Sequence, residues 1–387
     1  MRHCGLLLTP LVMLDMSVGV GVCNYNRKDD LCRCLDCLLR QTLSADVVMV
    51  LDNASTDGSV ECVQDRFGDR VRIVSSDENT GGSGGFSRLS FELMERGCER
   101  IVLVDSDAFL AANSLEGMHD ALDRFPEAGI CGARIHHADR PDVIQECGAI
   151  LDWEGFSFRL NRKDEPAISG SKLPPVEWVD YVPACALMAE RKVFEDVGHF
   201  DPDWFIYFDD IDWCFRAKLA GFRIAVANLA IAWHRGGGKV KTNHFPTYYF
   251  WRNRHLFFAA HAPERIPVLV DVAAQAIATM EVLEQPNAAN IIRRAVRDAM
   301  MGKRGQTDLS EFNLWLDSPS PWQAVENEHF PVISVAHVLH PYSGTTDGIL
   351  QDSYGWRIPL STQRLLVPLF QRACVRNREE LLSFVGF

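Results

Sequence analysis

The sequence predicts an α/β protein in which a doubly wound, mostly parallel sheet is followed by a mainly helical C-terminal region. Four short apolar runs with strand composition alternate with segments of helical spacing between residues 17 and 104. A polar or glycine-rich turn follows each run, as is usual where strands and helices alternate. Beyond Pro267 the spacing of apolar residues is mostly helical.

The predicted elements of the first half follow a regular order. In the first helix, Leu31, Leu35 and Leu38 fall on one face. Strands are predicted at 17–23, 46–51, 71–75 and 101–104, and helices at 29–41, at 59–67 and from the glycine-rich segment 79–86 to about Arg96. From residue 131 to about 182 the pattern predicts shorter added strands.

Composition limits the classes of function. Of the 387 residues 47% are hydrophobic, and the mean hydropathy is −0.07, as in soluble globular proteins. The formal net charge of −13 excludes nucleic acid as a partner, because no basic excess is available to neutralise phosphates. A single bound nucleotide remains compatible, since a metal ion can supply local positive charge. No apolar stretch beyond residue 16 is long enough to span a bilayer.

The twelve cysteines are dispersed through predicted strands and helices, as expected for reduced thiols packed as small apolar side chains. Cys32, Cys34 and Cys37, with Cys23 nearby, raise the alternative of a zinc site. The cluster lacks the paired spacing of structural zinc ligands, so packing is the favoured interpretation.

The N-terminus has the composition of a short signal core, with Arg2 and His3 before an apolar run at 5–14. No cleavage site follows it, and the next residues are a strand that the fold needs. We therefore expect residues 1–16 to be an uncleaved extension of a cytoplasmic protein. Translation from Met13 or Met16 is the alternative.

Polar segments follow all four predicted strands, at 24–27, 52–57, 79–86 and 105–107. Because ligands of doubly wound sheets bind beyond the carboxyl ends of the strands, we expect a site at this edge. The glycines at 81–85 fit neither the dinucleotide fingerprint nor a phosphate-binding loop with its lysine. They would allow close approach of backbone to a ligand, or they form a plain helix-entry turn.

Two acidic residues flank Ser106 after the fourth strand, and His234 closes a later apolar strand. Asp105 and Asp107 would project to one side of an extended strand end. Two carboxylates and an imidazole suit Mn²⁺ or Mg²⁺ beside a diphosphate. The alternatives are a solvated or capping turn for the acids and a structural role for the histidine.

A second acidic group is set among aromatic residues. Asp209, Asp210 and Asp212 fall at a predicted helix start, where capping is the alternative role. Aromatic faces beside carboxylates suit a sugar, because rings stack on C–H faces while acids bind hydroxyls. The neighbouring aromatic residues are Trp204, Phe205, Tyr207, Phe208 and Trp213. Further on, Arg252 and Arg254 either face a phosphate or belong to a core helix.

With these motifs in order, residues 17 to about 260 resemble the inverting GT-A glycosyltransferases of family 2, which have a Rossmann-like sheet. They are most similar to bacterial galactofuranosyltransferases and rhamnosyltransferases. The matching pieces are Asn24-Tyr-Asn-Arg27, the segment 52–59, the glycine-rich segment 79–86, Asp105-x-Asp107, Phe208-Asp209-Asp210, Trp233-His234 and the segment 249–254. Ser106 departs from the family, where a third Asp is common, but the two outer positions that carry the metal are kept.

The resemblance implies a role for each matching residue. Tyr25 and Asp52 would hold the nucleotide base, and the rest of the nucleotide site would comprise Arg27, Asn53, Asn79, Gly82 and Asp105. Asp105, Asp107 and His234 would bind Mn²⁺ or Mg²⁺ on the diphosphate. Asp210 would be the base that deprotonates the acceptor hydroxyl, assisted by Asp209. The acceptor would lie against Trp204, Tyr207, Asp209 and Trp233.

The sequence is accordingly expected to divide into an extension, 1–16, a GT-A catalytic domain, 17–262, and a helical region, 263–387. The nucleotide-binding half would be 17–130 and the acceptor-binding half 131–262. The expected activity moves galactofuranose or rhamnose from a UDP- or dTDP-sugar to a glycan or lipid-linked glycan of the cell surface. Self-association into a homo-oligomer is left open.

Two other functional classes remain. A sugar-nucleotide pyrophosphorylase would carry a Gly- and Arg/Lys-rich loop after the first strand, which the sequence at 24–28 does not match. An inactive glycan- or nucleotide-binding relative is the other, and the intact acid set argues against it.

The end of the chain alternates basic and apolar residues from 357 to 385. Such a segment can lie on an anionic membrane surface, and so bring the enzyme to the inner face of the membrane. A terminal helix packed on the catalytic domain is the favoured interpretation, because Pro359 and Pro368 interrupt the helical period of the segment.

Overall fold

A computed structural model describes residues 16–236, 244–282 and 286–310, together with three short strands near the C-terminus. The predicted extension 1–16 lies almost wholly outside this part of the chain, and so does most of 311–387, including all of the basic, apolar segment except Arg357 and Ile358.

Strands and helices alternate through the first half. The strands are β1 Val18–Asn24, β2 Val47–Asp52, β3 Arg72–Ser75, β4 Arg100–Asp105, β5 Ala108–Leu110, β6 Ala128–His137, β7 Ile144–Glu146, β8 Ala149–Asp152, β9 Ser157–Leu160, β10 Val176–Val179, β11 Ala186–Glu190, β12 Arg223–His234, β13 Val332–Ser334, β14 Ile349–Gln351 and β15 Arg357–Ile358. The helices are α1 Lys28–Leu38, α2 Ser59–Phe67, α3 Gly81–Glu95, α4 Ser114–Arg124, α5 Arg191–Val197, α6 Asp209–Leu219, α7 His244–His261, α8 Ile266–Val282 and α9 Pro286–Met300.

The main sheet has the strand order β10-β12-β6-β11-β4-β1-β2-β3, with β5 paired to β12 and β7 to β6. Strand β1 is parallel to β2 and β4, and β2 is parallel to β3. Strand β12 is parallel to β6, whereas β11 is antiparallel to both of its neighbours, β4 and β6. The predicted α/β class is confirmed. One continuous sheet joins residues of the two predicted halves through β11.

The alternating Val-Gly sequence of β1 explains why helices cover both faces of the sheet. A Cβ on Gly19 would lie 2.8 Å from Leu93 Cδ2, and one on Gly21 would lie 3.0 Å from Leu89 Cβ, so the glycines let α3 approach the strand closely. The valines between them pack on the opposite face against α1. Each valine buried in this way stabilises the fold by roughly 1.5–3 kcal/mol.

Helices α7, α8 and α9 form the described part of the predicted helical C-terminal region. The fully buried Asp298 of α9 accepts hydrogen bonds from the Tyr248 hydroxyl and from Arg294 Nε, both at 2.7 Å, and from Lys303 Nζ at 2.9 Å. Burial alone would raise the pKa of Asp298, but these three donors hold it below its usual range. Among the described helices, none combines the length and apolarity needed to cross a bilayer.

Candidate active site

A cleft of about 1790 Å³ opens at the carboxyl ends of β1, β2 and β4, as the sequence predicts for a doubly wound sheet. Its walls come from the loops after these strands, from the start of α3, from the start of α6 and from the end of β12. The predicted site residues that line it are Tyr25, Arg27, Asn53, Asn79, Gly82, Asp105, Asp107, Tyr207, Asp209, Asp210 and His234.

Strand pairing brings three candidate metal ligands together. Asp105 ends β4, Asp107 lies in the turn before β5, and β5 pairs with β12 so that His234 is opposite Ala108. The Nε2 atom of His234 is 3.3 Å from Asp107 Oδ1 and 3.7 Å from Asp105 Oδ2. One ligand atom from each residue falls within 4.8 Å of the others. A divalent cation could therefore contact all three.

The electrostatics of this triad also fit a cation. Burial and the neighbouring charge of Asp107 raise the pKa of Asp105 to about 6. Burial would raise the pKa of Asp107 as well, but its hydrogen bond to His234 and the charge of that ring lower it. Burial opposes the charged form of His234, yet the hydrogen bond to Asp107 raises its pKa. In the part of the chain that the structure describes, the buried Nδ1 of His234 has no hydrogen-bond partner, so Nε2 is the nitrogen that faces the acids.

A cation also borders the triad. Arg27 NH1 lies 3.1 Å from Asp107 Oδ2 and 3.6 Å from Asp30 Oδ2. Arg235 contacts the same Asp30 at 3.2 Å. Arg27 therefore places a positive charge beside the proposed metal position, where a diphosphate would need one.

The nucleotide side of the cleft is held by a hydrogen-bonded loop pair. Asn53 donates from Nδ2 to the carbonyl of Gly81 at 2.8 Å and accepts from the backbone N of Thr80 at 3.1 Å. Asn79 Oδ1 accepts from Gly81 N at 2.9 Å. The predicted glycine turn is itself the first part of α3, and Gly81 and Gly82 face the cleft. Tyr25 is 46% exposed at the rim.

Asp52 is placed differently from its neighbour Asn53. It is only 3% exposed and is not among the residues that line the cleft. Its two carboxylate oxygens accept from Asn24 Nδ2 at 3.1 Å and from Ser55 N at 2.9 Å. In this arrangement Asp52 fixes the loops that follow β1 and β2.

Asp209 and Asp210 begin α6 at the opposite wall. Asp210 accepts from Ile211 N at 2.8 Å and from Ala184 N at 3.4 Å, yet burial raises its pKa to about 6. Burial, together with the charge of Asp210, raises the pKa of Asp209 well above its usual range. Asp212 instead accepts from Arg216 Nε at 2.9 Å and does not line the cleft.

Two predicted acceptor residues lie apart from the cleft lining. Trp204 is 2% exposed, and its ring lies beneath the Arg304 guanidinium, 5.0 Å from the ring centroid. Trp233 makes an edge contact with His136 at 6.4 Å between ring centroids. Of the aromatic residues predicted to contact the acceptor, Tyr207 alone lines the cleft.

The two arginines of the aromatic segment are structural and do not face a phosphate. Arg252 is fully buried and donates to the carbonyls of Trp204 and Gly305. Arg254 donates to the carbonyls of Phe156 and Gly155. The core-helix interpretation of this segment, now α7, is therefore the correct one.

The cysteine cluster does not form a zinc site among the described residues. Cys34 and Cys23 are buried in different surroundings, and Cys32 Sγ lies 2.8 Å from Cys62 Sγ on the neighbouring helix. The described group of metal-ligating side chains is Asp105, Asp107 and His234.

Sequence reasoning missed Glu146, which ends the short β7 and lines the cleft. Burial and the charge of Asp210 raise its pKa to about 7, and the Tyr181 hydroxyl donates to it at 3.4 Å. No motif surrounds Glu146 in the sequence, and the irregular pattern after residue 131 gives no signal that would have selected it.

Comparison with known proteins agrees with this geometry. Residues 19–194 match the model of glycosyl transferase family 2. Residues 19–194 form a domain similar to family 2 glycosyltransferases. The predicted resemblance to family 2 is confirmed for these residues. The family 2 match ends before α6, so Asp209, Asp210 and His234 lie beyond it.

Two curated relatives extend the similarity. A galactofuranosyltransferase of Mycolicibacterium smegmatis is 27% identical over 271 residues, which cover 63% of this chain and 41% of that protein. An N-acetylglucosaminyl-diphospho-decaprenol L-rhamnosyltransferase of Mycobacterium tuberculosis is 24% identical over 236 residues, which cover 54% of this chain and 75% of that protein. The chain thus spans less than half the length of the first relative.

Among solved structures, the family 2 domain resembles GalNAc-T7 with UDP, GalNAc and Mn²⁺, with a TM-score of 0.50 and 13% sequence identity. The match covers 63% of this chain and 48% of that one. At this level of identity the likeness supports the GT-A fold alone.

Proposed function

We propose that this chain is a metal-dependent inverting glycosyltransferase that moves a sugar from a UDP- or dTDP-sugar to a hydroxyl of a glycan or lipid-linked glycan. The observation that carries the proposal is that the triad of Asp105, Asp107 and His234 shares one cleft with Asp210. The names of the two relatives make galactofuranose and rhamnose the favoured donor sugars.

The donor would lie with its diphosphate at the triad. Asp105, Asp107 and His234 would hold Mn²⁺ or Mg²⁺, which supplies positive charge to a diphosphate leaving group. Arg27, 3.1 Å from Asp107, would face the same phosphates. The exposed ring of Tyr25 offers a stacking surface for the nucleotide base, while Asn53 and Asn79 hold the start of α3 beside it.

Asp210 would take the proton of the acceptor hydroxyl. With a pKa of about 6 it is ionised at neutral pH and still basic enough to assist proton removal. Asp209, whose pKa is raised by burial and by the charge of Asp210, would contact a sugar hydroxyl beside the base. A single base of this kind implies one displacement, and therefore inversion at the anomeric carbon.

The missed residue Glu146 belongs to the acceptor side of this proposal. It lies close enough to Asp210 and His234 for both charges to act on its pKa. Together with Tyr207 it would border the acceptor hydroxyl opposite the donor, since neither the buried Trp204 nor the partly buried Trp233 lines the cleft.

The test is turnover of each sugar nucleotide by the purified full chain, with and without Mn²⁺ and with the Asp210→Asn variant as the blank. Metal-dependent release of the free nucleoside diphosphate supports the proposal. Formation of a nucleoside triphosphate on adding pyrophosphate would instead indicate a pyrophosphorylase. Tight donor binding with no turnover under any condition would indicate an inactive relative.

We also propose, from the sequence alone, that residues 357–387 contact the inner face of the membrane and bring the site to a lipid-linked acceptor. Each basic residue near an anionic surface contributes about 1 kcal/mol. Co-sedimentation with anionic vesicles, with and without residues 357–387, tests this. Equal binding of both forms, or binding by neither, would leave only a packing role for the segment.

A further inference from the structure

The four residues that precede Asp209 follow an unusual backbone path. Phe205, Tyr207 and Phe208 have φ angles of 65°, 63° and 66°, in the left-handed region that residues with a Cβ rarely adopt. Bulky residues persist in this region only where the surrounding structure holds them there. We call residues 204–208 the left-handed segment. Residues 205–208 of this segment form the cleft wall that leads into α6.

One buried side chain holds most of this segment. The Nδ2 atom of Asn253, on α7, donates to the carbonyls of Trp204 at 3.0 Å, Ile206 at 2.8 Å and Tyr207 at 2.8 Å. Asn253 is fully buried. Since an amide group has two N–H hydrogens, the three carbonyls share them. Loss of Asn253 would remove this donor from the carbonyls of Ile206 and Tyr207, whereas the Trp204 carbonyl would still accept from Ile206 N at 2.8 Å.

Arg252 orients that amide. Its Nε donates to Asn253 Oδ1 at 2.8 Å, so the amide oxygen is occupied and the nitrogen must face the segment. Its NH2 group donates to the Trp204 carbonyl at 3.2 Å. The arginine is itself fixed by the carbonyl of Gly305 at 2.6 Å.

The carbonyl of Phe205 is bound by α3, on the nucleotide side of the cleft. Phe205 O accepts from Ser83 N of α3 at 3.2 Å, and a Cβ on Gly81 would lie 1.9 Å from the same oxygen. The left-handed segment is therefore fastened between α3, which borders the donor, and α7, which lies behind the acceptor wall.

From these contacts we propose that Asn253 is a positioning residue for Asp209 and Asp210. It fixes the left-handed segment and so sets where α6 begins and where its first two carboxylates point. The consequence for the reaction rests on the proposed role of Asp210 as the base. The conformational part of the proposal does not.

The test compares Asn253→Ala and Asn253→Ser with Arg254→Gln. Arg254 is the next residue of α7 and is also buried, but its hydrogen bonds go to Phe156 and Gly155, away from the segment. Per folded molecule, Asn253→Ala should lower kcat about 100-fold with the donor KM unchanged, because misplacing a reacting group by 1 Å costs about that much. Asn253→Ser keeps one donor and should lie between Asn253→Ala and the wild type. Arg254→Gln should keep kcat close to the wild type.

Hydrogen exchange gives a second readout that does not require activity. Peptides covering 204–210 should exchange faster in both Asn253 variants, while peptides of β1 and β4 keep their protection. Unchanged exchange at 204–210, or faster exchange with kcat unaltered in an active enzyme, would overturn the proposal. Absence of transfer in the wild type would count against the proposed function alone, since the exchange measurement still decides whether Asn253 holds the segment.

Discussion

His234 Nε2 lies 3.3 Å from Asp107 Oδ1, although the two residues come from different halves of the chain. The contact depends on strand register, because the pairing of β12 with β5 sets His234 opposite Ala108. A shift of one residue would turn the imidazole to the other face of the sheet. The candidate metal site is thus a product of the assembled sheet.

Asp107→Ala should remove one ligand and weaken Mn²⁺-dependent binding of UDP by at least about 100-fold, since even residues behind metal ligands are worth 10–100-fold. Calorimetric titration of UDP with Mn²⁺ present measures this. Asp212→Asn is the matched control, because Asp212 is also an aspartate but pairs with Arg216 outside the cleft. Equal UDP–Mn²⁺ affinity in wild type and Asp107→Ala would refute the ligand assignment.

Asp210→Asn should lower the rate of transfer by about 10²- to 10⁴-fold while donor binding is retained, because a general base acts on the acceptor and only in the transition state. Rates with saturating donor and separate binding measurements distinguish the two effects. Should transfer survive in Asp210→Asn and be lost in Asp212→Asn, the base would have to be reassigned.

The raised pKa of Asp210 predicts the acid side of the pH profile. The base works when ionised, so kcat/KM should fall as the pH drops below about 6. The measurement is the pH dependence of kcat/KM on protein shown to be folded at each pH. An acid limb near the usual aspartate value of 3.8 would mean that Asp210 is not the group observed.

The same pKa has a consequence for stability. Between pH 3.8 and about 6 the folded protein keeps a proton on Asp210 that the unfolded chain has lost. The contribution of Asp210 to stability therefore declines as the pH rises through this interval. Asp210→Asn, which stays neutral, should have a Tm at pH 8 equal to or above that of the wild type. A clear loss of Tm there would contradict this sign.

Gly81→Ala and Gly97→Ala form a matched pair. Both glycines have positive φ, 74° and 76°, so alanine carries a similar backbone cost of about 1–2 kcal/mol at each position. A Cβ at Gly97 meets nothing within 4 Å, whereas one at Gly81 would lie 1.9 Å from Phe205 O. Thermal unfolding should show the larger loss for Gly81→Ala, and transfer should fall only in that variant. Equal losses of Tm would mean that the approach of α3 to Phe205 is unimportant.

The sequence predicts the first half of the fold closely because its signals are local. A few consecutive residues are enough to predict the Val-Gly strand β1 and the acidic end of β4. Strand β4 is buried on both faces, and this favours one continuous apolar run. Because β1, β2 and β4 are parallel, the loops that follow them lie at the same edge of the sheet.

The features that sequence reasoning could not predict depend on distant contacts. Glu146 enters the cleft through the pairing of β7 with β6, and nothing in its neighbours marks it. Trp204 sits beside catalytic candidates in sequence, yet the left-handed segment turns it inward. Asn253 lies in a helix rich in aromatic residues, and nothing in its sequence neighbours marks it. Its hydrogen bonds to three carbonyls of the left-handed segment form only in the folded chain.

Strand β11 lies between β4 and β6 in the sheet, although it follows both of them in the sequence. During synthesis, therefore, the pairing of β4 on this side must be delayed until β11 has been made. Strand β4 is complete once Asp105 has been synthesised, but one of its edges pairs with β11, which ends only at Glu190. In that pairing Arg100 lies opposite Glu190. At ordinary rates of synthesis the 85 residues that follow Asp105, up to Glu190, take roughly 4–17 s. During that time the nascent chain presents an exposed strand edge to its neighbours on the polysome. The candidate metal ligands Asp105, Asp107 and His234 can come together only later, after His234 has left the ribosome.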